Sequence, residues 1–388
     1  MTKNSIHKIT AGGRTHPQKL SLRRKKNLQR RLLRWYLSGH RRLPWRNTRA
    51  PYAIWVSEVM LQQTQTVKVL EYYEKFLRQF PDVHTLAAAG LDDVLKAWEG
   101  MGYYARARNL HKAAKHIAGD LQGNFPAEYD RLLEISGIGP YTAAAVASIA
   151  FNRDHAVVDG NVERVLSRIF LIDQPPKSSA AKPLFRQLAQ DFLLSGQARN
   201  WNQALMELGA LICTPKNPRC EECPAQNYCR ARLELDQPAL LPRRLAKALR
   251  PHYHVVVGLI WKNGRLLIDQ RPENGLLGGL WEFPGGKIKP AESPHEALRR
   301  ELREELAVKV AIGKKFMEVE HGYTHFSVTL HVYQCRHLRG KPQPHACQAW
   351  QWVQPQALRQ FAFPTANRKI IDALLQKIKN KDKDNETY

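Results

Sequence analysis

The chain has 388 residues, more than one comfortable hydrophobic core usually holds, so two domains are the starting expectation. Its formal net charge of +25 and its pI near 9.9 indicate a polyanionic partner. No apolar run is long enough to span a bilayer and no signal-peptide core is visible, which excludes a membrane-spanning protein and favours nucleic acid as the partner.

Residues 1–31 are the most basic part of the chain, with ten Lys or Arg and no Asp or Glu. We expect residues 1–27 to be a disordered arm that adds non-specific affinity for DNA. An Arg-rich, acid-free N-terminus is also typical of an organelle transit peptide. The sequence therefore predicts a cytoplasmic, nucleoid-associated protein and leaves organelle targeting open.

An amphipathic helix is predicted from Leu28 to Leu37, and Leu43-Pro44-Trp45-Arg46 interrupts the helical pattern after it. An aromatic side chain beside a cation, as in Trp45-Arg46, can hold a flat base between the two groups. A packed surface Trp with a solvated Arg is the ordinary alternative. This pair by itself favours the alternative.

The helical segment from Tyr52 to Phe80 carries a carboxylate on an apolar face. Glu58 lies one turn from Ile54 and one turn from Leu61, so its side chain shares a face with apolar neighbours and is partly desolvated. Desolvation raises the pKa of a carboxyl group, which keeps a proton available for general acid catalysis near neutral pH. A structural Glu paired with an Arg is the alternative. The polar side chains of residues 62–64 favour catalysis, because they suit a surface that meets bases.

Residues 98–108 combine a glycine-containing turn with two tyrosines and two arginines. Aromatic rings between cations form a pattern that stacks bases and holds phosphates. A buried tyrosine pair beside a solvated basic helix is the competing interpretation. It becomes the weaker one only in combination with the hairpin that follows.

The stretch from Leu132 to Arg164 is predicted to be the working centre of the chain, folded as a hairpin between two helices. Gly137-Ile138-Gly139-Pro140 makes the tight reversal, because Gly permits the backbone conformation and Pro suits the first position of the next helix. Backbone N–H groups at Gly137 and Gly139 can then hold a DNA phosphate without reading a base. An ordinary glycine-bearing turn is the alternative.

The helix after the reversal, from Tyr141 to Phe151, is rich in Ala, so another helix can approach it closely. An apolar run then leads to Asp159. This residue is a candidate cap for a helix that begins near Val162, but Asn161 could equally serve as the cap and leave Asp159 free for chemistry. A hairpin followed by Asp in this setting resembles the helix-hairpin-helix DNA glycosylases, whose Asp lies beside the sugar of an extruded nucleotide.

The most specific signal is the pattern Cys-x6-Cys-x2-Cys-x5-Cys formed by Cys213, Cys220, Cys223 and Cys229. Four thiolates so close together, without a secretory signal, indicate a metal site rather than disulfides. Zinc also accepts four thiolates, so the spacing alone leaves the metal open. The spacing resembles the iron–sulfur loop of the endonuclease III and adenine glycosylase branch of the family, which implies a [4Fe-4S] cluster with a structural and DNA-docking role.

A second domain follows residues 231–251, which have no strong core pattern and are predicted to be a linker. Strands are predicted at residues 254–261, 265–269, 316–320, 327–334 and 350–353, with Asn263-Gly264 as a hairpin turn. A helix at residues 295–306 packs against them. The result is an α+β domain over residues 252–376, followed by a charged tail over residues 377–388.

The predicted helix carries a complete acidic motif. Gly286-x5-Glu292-x7-Arg300-Glu301-x2-Glu304-Glu305 matches the Nudix box, with Ala307 in place of its last Gly. In Nudix hydrolases these glutamates bind magnesium and the reaction cleaves nucleoside diphosphate linkages, so Glu301, Glu304 and Glu305 are possible magnesium ligands. A solvated helix of Glu and Arg is the alternative.

Over residues 30–370 the combination resembles the MutY family of adenine DNA glycosylases. The resemblance implies an N-terminal all-α helix-hairpin-helix glycosylase domain at residues 28–230, with its iron–sulfur loop, and a C-terminal α+β Nudix-like domain that recognises 8-oxoguanine. It implies base excision repair by a monomer that acts on double-stranded DNA and removes adenine mispaired with 8-oxoguanine or guanine.

The resemblance also implies a role for each catalytic candidate. Glu58 protonates the extruded adenine, and Asp159 stabilises the oxocarbenium ion or bonds to it briefly. Tyr141 occupies the position where the lyase branch carries its Schiff-base Lys, so a monofunctional glycosylase is expected. Asn161 orients water or Asp159.

The other implied roles concern contacts with DNA. Trp45, Arg46 and Glu207 line the adenine pocket, and Gln63 and Tyr103 wedge into the base stack beside the lesion. The residues Tyr323, Thr324 and His325 stand where the family carries a Phe-Ser-His loop that contacts 8-oxoguanine. Because Tyr keeps the ring and Thr keeps the hydroxyl, we expect the lesion contact to survive.

Three alternatives stay open. The Nudix box, usually lost in this family, allows either a second, magnesium-dependent nucleotide hydrolase activity or a helix whose carboxylates serve only folding. A non-catalytic binder of damaged DNA would need neither Glu58 nor Asp159. An endonuclease III-like lyase acting on oxidised pyrimidines is disfavoured by Tyr141 and by the second domain.

Overall fold

The structure, a computed structural model, describes residues 20–243, 245 and 249–386. It contains two compact units, each built from two stretches of the chain. The first comprises the described residues up to Glu58 and those among 124–247, and the second comprises 59–123 and the described residues from 249 onward. The change of unit near residue 247 lies in the predicted linker. The sequence did not predict that residues 59–123 belong with the C-terminal domain.

Helices make up most of the first unit and part of the second. Within the described residues they are α1 (Leu22–Gly39), α2 (Pro51–Leu61), α3 (Thr66–Gln79), α4 (Val83–Ala88), α5 (Leu91–Ala97), α6 (Ala105–Gly119), α7 (Tyr129–Leu133), α8 (Pro140–Ala145, followed by a π-helical segment, Val146–Ala150), α9 (Gly160–Ile169), α10 (Ala181–Phe192), α11 (Ala198–Leu211), α12 (Arg230–Glu234), α13 (Pro294–Leu306) and α14 (Thr365–Glu386). None of these helices has both the length and the apolar character that crossing a bilayer requires.

Helix α1 begins at Leu22, earlier than the predicted start at Leu28. The hydroxyl of Ser21 accepts a hydrogen bond from the backbone N–H of Arg24 (3.4 Å), which satisfies a donor that has no partner within the helix. Residues 22–27 are therefore helical, and the expectation of disorder is wrong for them. The rest of the predicted arm, up to residue 19, lies outside the described residues.

Small side chains bring the segments of the first unit close together. Ala144 of α8 packs in one buried cluster with Ile54 of α2 and with Val157. Since an Ala side chain is short, the backbones on either side of it can approach closely. The Ala-rich helix therefore contacts both the helix that carries Glu58 and the segment that leads to Asp159.

The strands of the second unit form one mixed sheet. They are β1 (His252–Lys262), β2 (Arg265–Gln270), β3 (Trp281–Glu282), β4 (Gly285–Lys287), β5 (Lys309–Gly322), β6 (Ser327–Arg339) and β7 (Ala349–Val353). The order is β3-β2-β1-β6-β5, with β4 also paired to β1 and β7 to β2; β1 and β6 are parallel and the other pairs antiparallel. The five predicted strands are confirmed with wider bounds. Strands β3 and β4 were missed because they are too short to show alternation.

Two helices cover the two faces of this sheet. Val257 and Leu259 of β1 pack in a cluster with α14, whereas Val256 and Ile260 pack in a cluster with α13. Successive side chains of a strand point to opposite faces, so α13 and α14 lie on opposite sides of the sheet. The predicted helix at residues 295–306 is thus confirmed as α13.

The C-terminal helix α14 was not predicted, and its last part is the segment expected to be a charged tail. Ile370, Ile371 and Leu374 are buried against the sheet, which anchors the helix near its start. Once its first turns are anchored, extending a helix needs only one further hydrogen bond per residue. The helix therefore continues through the charged residues to Glu386.

A stability prediction follows from Ala307, which replaces the last Gly of the Nudix box. Ala307 caps the C-terminus of α13 in the left-handed region, with φ +55° and ψ +28°. Because the Cβ atom disfavours this conformation, we expect Ala307→Gly to raise the free energy of unfolding by about 1 kcal/mol, measured by urea denaturation. Ala297→Gly, in the interior of the same helix, should lower it by about 1 kcal/mol. Changes of equal sign in both variants would contradict the prediction.

Candidate active site

The predicted hairpin is present in the first unit as α7, a tight reversal and α8. Gly137 adopts a left-handed conformation, with φ +99°, that a residue with a Cβ atom rarely takes. Gly139 is the N-cap residue of α8, and Pro140 occupies its first turn. Both glycines are exposed. Their contact with a DNA phosphate stays a prediction.

Asp159 caps helix α9, which begins at Gly160 rather than near Val162, so of the two predicted caps Asp159 is confirmed and Asn161 is wrong. Its Oδ1 atom accepts hydrogen bonds from the backbone N–H groups of Asn161 (2.9 Å) and Val162 (2.7 Å). The side-chain amide of Asn161 donates to the other oxygen, Oδ2 (2.8 Å). Asp159 is preferred as the cap because it can also accept from that amide. The predicted orienting role of Asn161 agrees with this contact.

Glu58 is buried, with 4% of its surface exposed, and its partner is a phenol rather than an arginine. The Tyr141 hydroxyl donates a hydrogen bond of 2.7 Å to Oε2 of Glu58. Burial raises the pKa of Glu58 to about 7, although the hydrogen bond from Tyr141 opposes the rise. A substantial fraction of Glu58 is therefore protonated at neutral pH, as a general acid requires.

The carboxyl groups of Glu58 and Asp159 lie close enough for their charges to interact. The negative charge of Asp159 contributes to the raised pKa of Glu58, and both carboxylates help to raise the pKa of the buried Tyr141 hydroxyl. Burial also raises the pKa of Asp159, although its three hydrogen bonds lower it. The structure therefore brings a partly protonated acid, a phenol and a second carboxyl group into one site, as the sequence predicted for Glu58 and Asp159.

Arg164 holds the first turn of α9, which contains Asn161, a role for which the sequence carries no signal. Its guanidinium donates to Oδ1 of Asn161 (2.8 Å) and to the backbone carbonyls of Gly160 (3.1 Å) and Gly209 (2.8 Å). A Cβ atom on Gly209 would come within 2.5 Å of Cβ of Asn161. Helix α11 can therefore approach the first turn of α9 this closely only with Gly at that position. These contacts fix the Asn161 amide that bonds to Asp159.

Glu207, predicted to line an adenine pocket, has both carboxylate oxygens hydrogen-bonded to two arginines. Both of its oxygens accept hydrogen bonds from the side chains of Arg41 and Arg46, at distances between 2.5 and 3.0 Å. Burial disfavours ionisation of Glu207, but the hydrogen bonds from Arg46 and Arg41 outweigh it and lower the pKa to about 2. Trp45 is buried with 5% exposure. A contact between Glu207 and a base, which stays a prediction, requires an arginine to release it.

The four cysteines line one small cavity in the first unit. Cys213, Cys220, Cys223 and Cys229 surround a space of about 20 Å³, together with Arg168, which donates a hydrogen bond to Sγ of Cys213 (3.3 Å). No group of three or more His, Cys, Asp or Glu side chains within the described part of the chain converges closely enough to hold a single metal ion.

The predicted wedge residues and the predicted lesion loop belong to the second unit. Gln63 and Tyr103 are exposed and both have left-handed backbones, with φ +57° and +50°. The Tyr103 hydroxyl shares a hydrogen bond of 2.5 Å with Oγ1 of Thr324. This contact connects two residues that the sequence assigned to the same lesion but to different domains.

Thr324 and His325 are exposed at the tip of the β5–β6 hairpin. The turn is closed by a hydrogen bond from the backbone N–H of Tyr323 to the carbonyl of Phe326 (2.8 Å). The Tyr323 ring is half-buried and stacks on Phe326, with ring centroids 4.7 Å apart. Thr324 and His325 are therefore the most exposed residues of this loop, and contact of the loop with 8-oxoguanine stays a prediction.

The carboxylates of the Nudix box are held by an arginine of the same box. Arg300 donates to Glu292 (2.7 and 2.9 Å), Glu301 (2.8 Å) and Glu304 (3.2 Å). Glu305 is left out of this network, and burial together with the charge of Glu301 raises its pKa to about 7. The possible magnesium site at Glu301, Glu304 and Glu305 stays a prediction.

The chain is similar to proteins of known activity along most of its length. A family model described as HhH-GPD superfamily base excision DNA repair protein matches residues 56–190, and one described as NUDIX domain matches residues 256–373. The adenine DNA glycosylase of Mus musculus is 34% identical over 393 residues, which cover 88% of this chain and 76% of the mouse protein. That of Homo sapiens is 33% identical over 395 residues, covering 88% and 72%.

Among solved structures, a thermostable thymine-DNA glycosylase matches with a TM-score of 0.50 and 28% identity, over 55% of this chain and 98% of that one. The match covers only part of this chain, whereas the NUDIX model covers the C-terminal part. Together these similarities confirm the predicted fold class, a helical helix-hairpin-helix domain followed by a Nudix domain.

Proposed function

We propose that this chain, which belongs to the adenine DNA glycosylase family, acts as a monomer on double-stranded DNA and removes adenine mispaired with 8-oxoguanine or guanine. The observation that carries the proposal is the buried Glu58, hydrogen-bonded to Tyr141, with its pKa raised to about 7 in the field of Asp159. A protonated carboxyl beside an ionised one is the arrangement that cleavage of a glycosidic bond needs.

The reaction divides between the two carboxyl groups. Adenine leaves poorly as an anion, so Glu58 transfers its proton to the ring as the bond between the base and C1′ of the sugar breaks. The bonding electrons go to the base, which departs neutral, and the sugar becomes an oxocarbenium ion. The Asp159 carboxylate stabilises that cation or bonds to it briefly, until water adds at C1′ and gives its proton to the Glu58 carboxylate, which restores the acid.

Tyr141 makes the proposed enzyme a monofunctional glycosylase. A lyase needs an amine that forms an imine with the sugar, and a phenol cannot do so. The Tyr141 hydroxyl instead donates to Glu58, so that one Oε2 lone pair is occupied. We therefore expect the DNA strand to remain intact after the base has left.

Recognition of the opposite base is proposed for the loop at the tip of the β5–β6 hairpin. Thr324 and His325 are exposed there, and Tyr103 contacts Thr324 through its hydroxyl. Hydroxyl and imidazole groups can accept the N7 proton that distinguishes 8-oxoguanine from guanine. The half-buried Tyr323 supports the turn rather than the base.

We also propose that the four cysteines hold a [4Fe-4S] cluster. A single zinc ion requires all four sulfurs within about 2.3 Å of one point, whereas in a cluster each thiolate binds a different iron atom, so the sulfurs lie further apart. Cys213, Cys220, Cys223 and Cys229 all line one cavity, so the four can serve a single group, and their spacing along the sequence supports the second case. When bound, the cluster has a structural and DNA-docking role. Analysis of purified protein should find iron and acid-labile sulfide in equal amounts; stoichiometric zinc would contradict the assignment.

One assay tests the main proposal. A duplex with adenine opposite 8-oxoguanine is incubated with the protein, and free adenine and strand breaks are measured before and after alkali. We expect adenine release, with strand breaks only after alkali. Absence of free adenine under conditions in which the protein binds the duplex would leave the alternative of a non-catalytic binder.

The lyase alternative makes a separate prediction. An endonuclease III-like enzyme acting on oxidised pyrimidines would be trapped on DNA by borohydride, because reduction of the imine makes the link permanent. We expect no such adduct, since Tyr141 stands where the amine would be needed.

The alternative of an added nucleotide hydrolase activity rests on the Nudix box, which keeps its glutamates and departs only at Ala307. Arg300 engages Glu292, Glu301 and Glu304, which favours a helix whose carboxylates serve folding. Incubating the full-length protein with Mg²⁺ and a panel of nucleoside triphosphates decides between the two. Release of pyrophosphate or phosphate that is lost in Glu305→Gln would support hydrolysis, and no turnover removes the idea.

The raised pKa of Glu58 predicts a pH dependence of excision. Glu58 must be protonated, so the single-turnover rate should fall as the pH rises through about 7. Asp159 must be ionised, so the rate should also fall at acid pH, as Asp159 becomes protonated. In Tyr141→Phe the hydrogen bond that lowers the pKa of Glu58 is lost, so this pKa should rise further. The alkaline limb of the pH profile, where the rate falls as Glu58 loses its proton, should then move to higher pH. A limb that stays in place would contradict this role of Tyr141.

A further inference from the structure

Arg106 is a buried arginine of helix α6 whose guanidinium gathers six acceptors within the second unit. Nη1 donates to the backbone carbonyls of Val59 (3.0 Å), Met60 (2.7 Å) and Gln62 (2.5 Å), and Nη2 donates to Oγ1 of Thr64 (3.0 Å) and to the carbonyls of Met101 (3.3 Å) and Gly102 (3.0 Å). Only 8% of Arg106 is exposed, so these contacts replace its solvation. One side chain thus connects the end of α2 to the loop before α6.

The acceptors lie next to the two wedge residues. The carbonyl of Gln62 immediately precedes Gln63, and the carbonyl of Gly102 immediately precedes Tyr103. Both wedge residues have a left-handed backbone, which the Cβ atom disfavours, so each needs support from its surroundings. Arg106 binds the peptide group just before each of them and thereby fixes both conformations.

The Tyr103 ring is held from two sides. The guanidinium carbon of Arg106 lies 5.6 Å from the centroid of the Tyr103 ring, and also 5.2 Å from that of Trp98. At the other end, the Tyr103 hydroxyl is hydrogen-bonded to Thr324 (2.5 Å). Tyr103 is nevertheless 38% exposed, so its ring is oriented by the protein and still open to a partner.

We infer that Arg106 is a positioning residue that holds Gln63 and Tyr103 ready to enter the base stack, so that extrusion of adenine depends on it. The inference rests on the proposed function and names the group that prepares the wedge. Lys cannot replace Arg here, because an ammonium group is a single point with three donors, whereas the planar guanidinium reaches two loops at once. The sequence predicted Arg106 as one of two cations that hold phosphates, or else as part of a solvated basic helix; the structure instead buries it against backbone carbonyls.

The test compares Arg106→Lys with Arg108→Lys. Arg108 lies on the same helix and also donates to a backbone carbonyl, that of Gly278 (2.7 Å), but it contacts neither wedge loop. Extrusion is followed by the fluorescence of 2-aminopurine opposite 8-oxoguanine, and excision by single-turnover release of adenine. We expect Arg106→Lys to lower both rates at least about tenfold and Arg108→Lys to leave them near wild type.

A double-mutant cycle separates positioning from a general effect on folding. If Arg106 acts through the wedge, Arg106→Lys should cause little further loss in a protein that already carries Gln63→Ala and Tyr103→Ala. Losses that simply multiply would overturn the inference. Thr64→Val, which removes one acceptor of the guanidinium and leaves Arg106 in place, should give a smaller loss of the same kind and serves if Arg106→Lys folds poorly.

The remaining outcomes are also distinct. Wild-type protein that binds the duplex and releases no adenine contradicts the proposed function itself. Active wild-type protein together with an Arg106→Lys variant of unchanged extrusion and excision contradicts only the role of Arg106.

Discussion

We expect Glu58→Gln to lower the single-turnover rate of adenine excision by about 10²- to 10⁴-fold, because the amide has the shape of the acid and no proton to give. The structure makes the substitution conservative: an amide oxygen can still accept the hydrogen bond from the Tyr141 hydroxyl, which Glu58 accepts at 2.7 Å. DNA binding should therefore remain, and the loss should lie in the chemical step.

Glu163→Gln is the matched control for this variant. Glu163 lies on α9, in the same unit, and its pKa is also raised, by burial and by the charge of Asp159. It does not contact Tyr141, so the same change of a carboxylic acid to an amide should leave excision near the wild-type rate. Equal losses in both variants would indicate a structural effect, and unchanged activity of Glu58→Gln would favour the non-catalytic binder.

Asp159→Asn should also lower excision, by about 10³-fold or more, because the oxocarbenium ion loses the only carboxylate proposed to face it. Asn is also a favourable N-cap residue, so helix α9 should keep its start and the fold its stability. The substitution thus removes charge while the hydrogen bonds to the backbone N–H groups of Asn161 and Val162 can persist.

A second measurement on the same variant tests the coupling of the two acids. The negative charge of Asp159 contributes to the raised pKa of Glu58, so its removal should lower that pKa and move the alkaline limb of the residual activity to lower pH. Asp82→Asn is the control. Asp82 caps α4 by accepting from the backbone N–H of Thr85 (2.7 Å), and no residue near it in the sequence has a proposed catalytic role. Loss of excision in Asp82→Asn would mean that replacing Asp by Asn at a helix cap is harmful in general. The loss in Asp159→Asn could then not be assigned to the charge of Asp159 beside the sugar.

Local patterns in the sequence determined most of the elements that carry the site. The glycine reversal before α8, the hairpin turn at Asn263-Gly264 and the apolar face around Glu58 all depend on residues within a few positions of one another. Such signals can be recognised without knowledge of the fold, because backbone freedom and side-chain periodicity are properties of short segments. The desolvation of Glu58 followed from the same reasoning.

Contacts between distant positions were beyond that reasoning. The sequence suggested an arginine as the alternative partner of Glu58, yet the structure pairs Glu58 with Tyr141, and it gives Glu207 both Arg41 and Arg46. A carboxylate has several possible partners in a chain this basic. Only the packing of one helix on another determines which of them comes within hydrogen-bonding distance.

The sequence by itself determined which groups are available to the proposed chemistry: an acid on an apolar helix face, a carboxylate after a hairpin, and four thiols at fixed spacing. Only the tertiary structure decided that Asp159 also caps α9, that residues 59–123 share a compact unit with the sheet, and that Arg106 donates to the carbonyls of Gln62 and Gly102. The physical reason is the separation along the chain over which each effect acts. Propensity and spacing act along the chain, whereas hydrogen bonds and charges act through space between residues that folding brings together.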